Sequence, residues 1–256
     1  MNCLQLMAAT AAVTCLGGLA SGAIVADNFE SYALTPTTQN LGSPWGSTGY
    51  QSNQNTRVVA EQSAFGAAGD SKGFQLYDAS TTGSPYAERS LAGLTTSDDV
   101  EIQFDFISHG TPSAGGSTSS QFMVMSGSTA GLIFRFDADG NIAYSNSSGT
   151  QVNLEPLVRN EWYRAKLSLL PASTGADKWQ LTLQRFGQAA TSYGVGHTLS
   201  FRNNISSFTH MRISNNSSSA TAQFVIDNVI VDVPEPSSAL ACVAAMALIG
   251  RRRRAI

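Results

Sequence analysis

Cysteine is almost absent from this 256-residue chain, and its three cysteines lie near the ends, at Cys3, Cys15 and Cys242. The long middle part therefore has no disulfide and no thiol chemistry, so it must fold around a hydrophobic core. Charge is scarce too, since Asp, Glu, Lys and Arg make up only 13% of the residues. The middle of the chain has no basic patch, which argues against nucleic acid as a partner.

Helical periodicity is also missing from this middle part. Short segments instead alternate apolar and polar residues, and turn signals separate them roughly every 8–12 residues. The clearest segment has an apolar face and a polar face: Val100, Ile102, Phe104 and Phe106 against Glu101, Gln103 and Asp105. About a dozen such segments predict an all-β fold, an antiparallel sandwich of two sheets. Residues 35–56, rich in Gly, Ser, Asn and Thr, are predicted to form a loop.

One turn also has a superficial likeness to a calcium loop. Asp137-Ala138-Asp139-Gly140-Asn141 has two of the acidic positions of an EF-hand, but the twelfth position is Ser148 and both flanks read as strands. An EF-hand needs a bidentate Glu at that position and a helix on each side. The sequence therefore predicts a hairpin with Asp139-Gly140 at its turn.

The N-terminus has the composition of an export signal. Residues 1–23 include no acidic residue and no Lys or Arg, are rich in Ala, Leu, Val and Met, and end in Ser21-Gly22-Ala23. Small residues at the end of an apolar stretch are typical of a signal-peptide cleavage site. We expect cleavage between Ala23 and Ile24.

The C-terminus combines three physically different pieces. Val233-Pro234-Glu235-Pro236 is stiff and extended, because proline fixes φ and keeps its predecessor out of the helical region. An apolar, uncharged stretch follows, and the residues Ser237 to Gly250 would give about 21 Å of helix. That is short of the roughly 30 Å of a bilayer core. Four consecutive cations, which favour the cytoplasmic side of a membrane, come next: Arg251, Arg252, Arg253 and Arg254.

This order closely resembles the PEP-CTERM sorting tail of exported bacterial proteins. The resemblance covers residues 233–256 and implies that an exosortase, an enzyme of the inner membrane, cuts near Pro234-Glu235-Pro236. A plain C-terminal anchor, or a buried helix with a basic end, is the alternative. With both ends set aside, residues 24–232 are predicted to form one β-sandwich domain. Without the terminal arginines and Glu235, 11 basic and 17 acidic residues leave a net charge of −6.

A second, weaker resemblance spans the middle domain. The segments Asp27-Asn28-Phe29-Glu30, Glu161-Trp162-Tyr163-Arg164 and Phe224 to Val229 resemble parts of the concanavalin A-like jelly rolls. This group includes laminin-G-like modules, legume lectins and laminarinase-type glycosidases. The resemblance implies jelly-roll topology and a concave sheet that presents polar and aromatic side chains to glycans.

Carboxylates at glycosidase spacing do not stand out in the sequence. Glu101 and Asp105 share a face of one strand but lie about 13 Å apart, which is too far for an acid and a nucleophile to cooperate. His109, His197 and His210 are isolated and lack Cys or Glu at metal-ligand spacing. We therefore expect a protein that is not an enzyme, with no catalytic residues.

Several side chains are candidates for glycan contacts. Side chains alternate between the two faces of a strand, which places Trp162 on the polar face. A sugar could stack on it there. Trp162 could instead cap the edge of the sandwich under a loop. Trp179 is expected in the core. The full candidate set comprises Trp45, Tyr50, Trp162, Glu101, Gln103 and Asp105.

One structural Ca²⁺ is expected as a cofactor, with Asp27, Glu30 and Asp227 as its ligands. In concanavalin A-like glycosidases such an ion joins the first and last strands, so the resemblance implies the same here. Asp227 interrupts an apolar strand, and an isolated buried charge is unfavourable unless it is paired or bound to a metal. Carboxylate oxygens suit Ca²⁺. The alternative is that Asp227 accepts hydrogen bonds from loop amides or pairs with an arginine such as Arg57 or Arg212.

These observations together favour an exported, non-catalytic protein of the cell surface or extracellular matrix with affinity for polysaccharide. Before exosortase processing it would be anchored transiently in the inner membrane, with its C-terminus in the cytoplasm. A divergent polysaccharide-degrading glycosidase or lyase of the same fold, or a purely structural biofilm protein, is the alternative.

Overall fold

The computed structural model describes residues 24–34, 44–48, 54–78, 84–91, 94, 99–109, 119–170, 177–216 and 222–233. Within these ranges the regular secondary structure is entirely β-strand, arranged as two antiparallel sheets, which confirms the all-β prediction. The same ranges contain no helix that is long and apolar enough to cross a membrane. The signal peptide and the sorting helix predicted from the sequence lie outside the described residues.

One sheet has nine strands and follows the order β13-β12-β11-β6-β16-β4-β3, with β1 paired to β16 and β14 paired to β12. Its strands are β1 (Val25–Asp27), β3 (Gln54–Val59), β4 (Gly73–Asp78), β6 (Val100–Ser108), β11 (Tyr163–Leu170), β12 (Lys178–Arg185), β13 (Thr191–Tyr193), β14 (Leu199–Ser200) and β16 (Ala222–Asp232).

The other sheet has seven strands in the order β10-β9-β8-β7-β15-β5-β2. Its strands are β2 (Trp45–Thr48), β5 (Tyr86–Ser90), β7 (Ser119–Ser126), β8 (Thr129–Ala138), β9 (Asn141–Ser145), β10 (Gln151–Pro156) and β15 (His210–Asn216). Residues 35–56 were predicted as a loop, but β2 lies within this segment and β3 begins inside it. The loop prediction is wrong for these strands.

The core between the sheets is rich in phenylalanine. Ile102, Phe104 and Phe106 of β6 are fully buried, as their alternation predicts. Phe104 stacks on Phe122 of the opposite sheet with 4.6 Å between ring centroids, within the range for favourable aromatic pairs. Trp179 is fully buried, which confirms its predicted place in the core.

Turns and loops join the strands at the ends of the sandwich. Asp139 and Gly140 have φ angles of 52° and 76° and connect β8 to β9, as expected for the predicted hairpin. The connection between β3 and β4 is longer and spans residues 60–72, which we call the Ser63 loop. It lies on the outer face of the nine-stranded sheet, where Ser63 contacts side chains of β6 and β16.

Candidate functional site

The outer face of the seven-stranded sheet carries a compact group of polar side chains. In β5, Ala87 is fully buried and faces the core, so its neighbours Tyr86 and Glu88 face outward. In β15, Met211 and Ile213 are buried in the core. His210 and Arg212, which alternate with them, therefore face outward. Arg212 and Glu88 are direct cross-strand partners. We call Tyr86, Glu88, His210 and Arg212 the Arg212 cluster.

Charge and stacking hold this cluster together. The guanidinium Nε of Arg212 donates a 2.6 Å hydrogen bond to Glu88 Oε1, and the same guanidinium lies 4.5 Å above the ring of Tyr86. Both contacts orient Arg212 on the sheet. Glu88 Oε1 also lies 3.3 Å from Nε2 of His210. Their side chains are 30% and 18% exposed, so the cluster is accessible only in part.

A hydrogen bond to Thr209 orients the imidazole of His210. The Thr209 hydroxyl lies 3.1 Å from the carbonyl oxygen of Met125 and 2.9 Å from His210 Nδ1. The tautomer of His210 sets which group donates in this second bond. Nε2 is buried and makes no hydrogen bond to any described residue, although Glu88 Oε1 lies at ion-pair distance from it. A buried imidazole nitrogen that makes no hydrogen bond keeps capacity for a ligand.

The rest of this face is basic and apolar. Gln121 of β7 and Arg135 of β8 are cross-strand partners on it, and Met123, Met125 and Ile133 pack together beside them. Burial lowers the pKa of the Arg135 guanidinium, and the neighbouring positive charge of Arg202 lowers it further. Two mutually repelling arginines next to the cluster would be stabilised by a bound anion.

The outer face of the nine-stranded sheet has the opposite character, because its central charges are buried. Asp105 of β6 and Asp227 of β16 are cross-strand partners, and neither is exposed to solvent. Arg164 makes hydrogen bonds of 2.7 and 2.9 Å to the two carboxylate oxygens of Asp105. Ser63 reaches both acids: its hydroxyl donates to Asp105 and its amide to Asp227.

Asp227 stands at an irregular point of its strand. The pairing of β16 with β6 shifts register between Asp227 and Ile230, and Asn228 has a φ of 50°. The Asn228 amide donates to Asp227 Oδ1 at 2.7 Å, while its side chain donates to Asp105 at 2.8 Å. Burial raises the pKa of Asp227 to about 7, more strongly than the hydrogen bonds from Ser63 and Asn228 lower it.

The residues predicted to bind calcium are therefore separated. Trp45 Nε1 and the Tyr32 hydroxyl donate to Asp27, whereas Glu30 accepts hydrogen bonds from Ser71 and Lys72. Asp227 accepts hydrogen bonds from the backbone amides of a loop and of its own strand, which matches the alternative drawn from the sequence. The arginine nearby is Arg164, which binds the neighbouring Asp105. In the described part of the chain no group of three or more His, Cys, Asp or Glu side chains could hold a metal. A calcium site remains a prediction.

The predicted glycan contacts are not brought together either. Trp45 is fully buried and packs on Phe29 and Phe74 in the core. Trp162 is 9% exposed and packs with Ile107 and Val225, so it caps the sheet as the alternative proposed.

The three polar candidates lie on the outer face of β6, as their alternation predicts. Asp105 is buried, and Glu101 forms an ion pair with Lys166 at 2.7 Å. Gln103, between them, is half-buried. Neither buried side chain, Trp45 or Asp105, is available to a sugar in this structure. Tyr50 lies outside the described residues.

Comparisons with known proteins identify the fold rather than a family. No protein-family model and no curated protein matches the sequence. Solved structures do match over most of the chain. A carbohydrate esterase from the Shiga toxin-encoding bacteriophage phi24B is 17% identical, with a TM-score of 0.52, 84% of this chain covered and 99% of that one.

Two lyases are similarly close. An endo-β-1,4-glucuronan lyase from the fungus Trichoderma reesei is 11% identical, with a TM-score of 0.51 over 83% of this chain and 96% of that one. A marine alginate lyase from Aplysia kurodai is 10% identical, with a TM-score of 0.51 over 84% of this chain and 100% of that one. Identities this low establish a shared jelly-roll sandwich and nothing finer.

The expectation that the protein is not an enzyme is contradicted by these structures. It was inferred from the spacing of Glu101 and Asp105 and from the isolated histidines, and that spacing argues only against a glycosidase pair on one strand. Two of the matching proteins are lyases and one is an esterase, so the fold accommodates chemistry that needs no such pair. The Arg212 cluster was missed because its members come from β5 and β15, and Arg212 and Glu88 are 124 residues apart in sequence.

Proposed function

We propose that the protein is an exported enzyme that acts on an acidic polysaccharide across the outer face of the seven-stranded sheet, by β-elimination at a uronate residue. The observation that carries the proposal is the Arg212 cluster, in which a histidine and a fixed cation share the Glu88 carboxylate beside a phenol. The similarity to glucuronan and alginate lyases supports the same reaction class.

β-Elimination requires three functions that these residues can supply. A cation must stabilise the charge that develops on the substrate carboxylate, which is the role of Arg212. A base must remove the proton next to that carboxylate, and His210, whose Nε2 lies 3.3 Å from Glu88 Oε1, would be that base. An acid must protonate the departing glycosidic oxygen, and Tyr86 is the hydroxyl donor in the cluster. Glu88 positions both Arg212 and His210.

A second cation extends the site along the substrate. Arg135 lies on β8, two strands away from Arg212 on β15, which corresponds to about 10 Å across the sheet. Carboxylates on different sugar residues of one chain would therefore meet separate arginines. This arrangement favours a polyuronate over a neutral polysaccharide.

The test is product formation from a panel of alginate, polyglucuronate, pectate and neutral glucans. We expect ultraviolet absorbance from the unsaturated uronate product with at least one acidic polymer and none with the glucans. His210→Asn should lower the rate by roughly 10²–10⁴-fold, the usual contribution of a general base. His197→Asn is the matched control, because His197 hydrogen-bonds Ser168 on the other sheet. Equal rates in both variants would refute the assignment.

We further propose that the tail at residues 233–256 sorts the protein through the inner membrane to the cell surface, with exosortase cleavage near Pro234-Glu235-Pro236. An extended proline segment before an apolar helix suits a membrane protease that binds its substrate as a strand. The intact mass of the surface-released protein tests this proposal. A species that retains Arg251 to Arg254 would instead indicate a simple anchor.

A further inference from the structure

A separate pocket of about 490 Å³ opens where the edges of the two sheets meet. Its walls come from the end of β10 and the following loop on one side, and from β11, β12 and β13 on the other. The volume falls within the range of about 300–1,000 Å³ that small-molecule sites occupy. None of its lining residues belongs to the Arg212 cluster.

Three polar groups with unused hydrogen-bonding capacity converge on this pocket. The Tyr163 hydroxyl, on a residue that is 1% exposed, accepts a bond from the Val158 amide, and its own proton has no acceptor among the described residues. Glu155 receives the Tyr193 hydroxyl on one carboxylate oxygen, which leaves the other free. Among the described residues, the Arg185 side chain contacts one charged partner, Glu161, at 3.6 Å.

The remaining walls combine apolar and polar side chains, and the charges balance. Pro156, Val158 and Leu183 form an apolar wall, and Gln188 and Thr191 add uncharged polar groups. Sugars present just this combination, since ring C–H groups form apolar faces and hydroxyls both donate and accept hydrogen bonds. Glu155 and Arg185 carry opposite charges, so the pocket has no preference for an anion, and a uronate carboxylate would meet Glu155 unfavourably.

We propose that this pocket binds a neutral sugar residue, as an accessory site separate from the polyuronate face. Glu155 would accept a sugar hydroxyl, while Tyr163 and Arg185 would donate to sugar oxygens. The apolar wall would receive the ring. The inference does not depend on the lyase reaction, because no residue is shared between the two sites.

Saturation-transfer NMR on the full folded domain tests the site with glucose, galactose, mannose and glucuronic acid as probes. We expect binding of at least one neutral sugar, and a weaker signal for glucuronic acid. Glu155→Gln should reduce the affinity about tenfold, because the variant loses a charge-assisted acceptor. Tyr163→Phe should have a similar effect, and Glu155→Gln remains decisive if that variant folds poorly.

Two controls make the result specific. Glu101→Gln changes an acid on the outer face of the nine-stranded sheet and should leave sugar binding unchanged. His210→Asn should strongly slow elimination without altering sugar binding, so failure of one proposal is distinguishable from failure of the other. Binding to no neutral sugar, a preference for glucuronic acid, or undiminished binding by Glu155→Gln would each overturn the proposal. Comparing the free sugar with a polymer that ends in it distinguishes a chain-end site from a free-sugar site.

Discussion

The two outer faces of the sandwich use similar side chains under opposite conditions. Each has a carboxylate bound by an arginine from a neighbouring strand: Asp105 with Arg164 on the nine-stranded sheet, and Glu88 with Arg212 on the seven-stranded sheet. Asp105 is fully buried under the Ser63 loop, whereas the Glu88 side chain remains 30% exposed. The difference shows that the cover over an ion pair, rather than the pair itself, decides whether the pair is open to solvent and to a ligand.

Hydrogen bonding follows the same division. On the covered face the Ser63 hydroxyl, the Asn228 side chain and Arg164 all donate to Asp105. On the open face His210 Nε2 makes no hydrogen bond to a described residue, although Glu88 Oε1 lies 3.3 Å away. A fully satisfied buried network stabilises one structure, while an incomplete one leaves capacity for a ligand.

The same chemical change on each face should give the largest contrast. Asp105→Asn leaves Arg164 without its carboxylate, and we expect unfolding free energy to fall by about 3–5 kcal/mol, as for other broken buried pairs. Glu88→Gln should lower it by less than about 1 kcal/mol, because the pair is partly solvated. Denaturant unfolding of both variants measures the difference.

Activity should show the reverse order. Glu88→Gln should strongly reduce elimination, because it loosens Arg212 and His210 together, while the folded fraction of Asp105→Asn should keep its rate. If both substitutions lowered stability equally and left activity unchanged, the proposed difference between the two outer faces would be wrong.

The strand pattern was readable from the sequence because alternation is a local property. The inward face of β6 was predicted correctly from residues within that strand. Strands β2, β3 and β10 escaped notice, since they are rich in Gly, Ser, Asn, Gln and Pro. Such residues are poor strand formers, and pairing with neighbours overrides that preference.

The sites were less predictable because they depend on contacts between distant segments. Asp105 was placed correctly on an outer face, but its burial depends on a loop from residues 60–72. His210 was read as an isolated histidine, because nothing near it in sequence indicates that β15 pairs with β5. The alternation of Met211, Arg212 and Ile213 did carry a signal that Arg212 faces outward with His210.

Asp227 should make the covered face sensitive to pH. Its folded pKa of about 7 lies above the ordinary value of 3.8, so the native state holds this proton more tightly than the unfolded chain. The stabilisation is complete below the unfolded pKa and is lost as the pH rises to the folded one. Between about pH 4 and about pH 7 we expect the free energy of unfolding to fall by about 4 kcal/mol through Asp227.

Asp227→Asn cannot titrate and should lose this part of the pH dependence. Unfolding free energies of both proteins across this range measure it. The control is Asp139→Asn in the exposed hairpin turn, where asparagine also tolerates the positive φ. A wild-type curve that matches the Asp227→Asn curve would show that the carboxylate is ionised throughout.

The Ser63 hydroxyl should contribute less. It donates to Asp105 at 2.7 Å and accepts the Phe65 amide at 3.0 Å. Ser63→Ala leaves both groups short of a partner, and we expect a loss of about 1–3 kcal/mol. Ser192→Ala, which removes one exposed hydrogen bond, should change stability by less than about 0.5 kcal/mol. Equal losses in the two variants would mean that solvent reaches Ser63.

The smallest effect should come from the edge of the covered face, where His109 Nε2 lies 2.5 Å from Glu61 Oε1. The hydrogen bond to Glu61 raises the pKa of His109 above its ordinary 6.5, against the opposing effect of burial. Because the charged histidine is favoured in the native state, the pair stabilises the fold below the unfolded pKa and loses that effect as the pH rises through the folded value.

Glu61→Gln should therefore lower stability by less than about 1 kcal/mol in mild acid and hardly at all in alkali. In Glu61→Gln, hydrogen exchange of the Ser63 loop amides should be faster than in the wild type over the same acid range. The reason is that Glu61 joins the loop to His109, the residue after β6. If the stability difference between the wild type and Glu61→Gln grew with pH instead, the pair would not favour the charged histidine. The Ser63 loop would then not depend on the charge of His109.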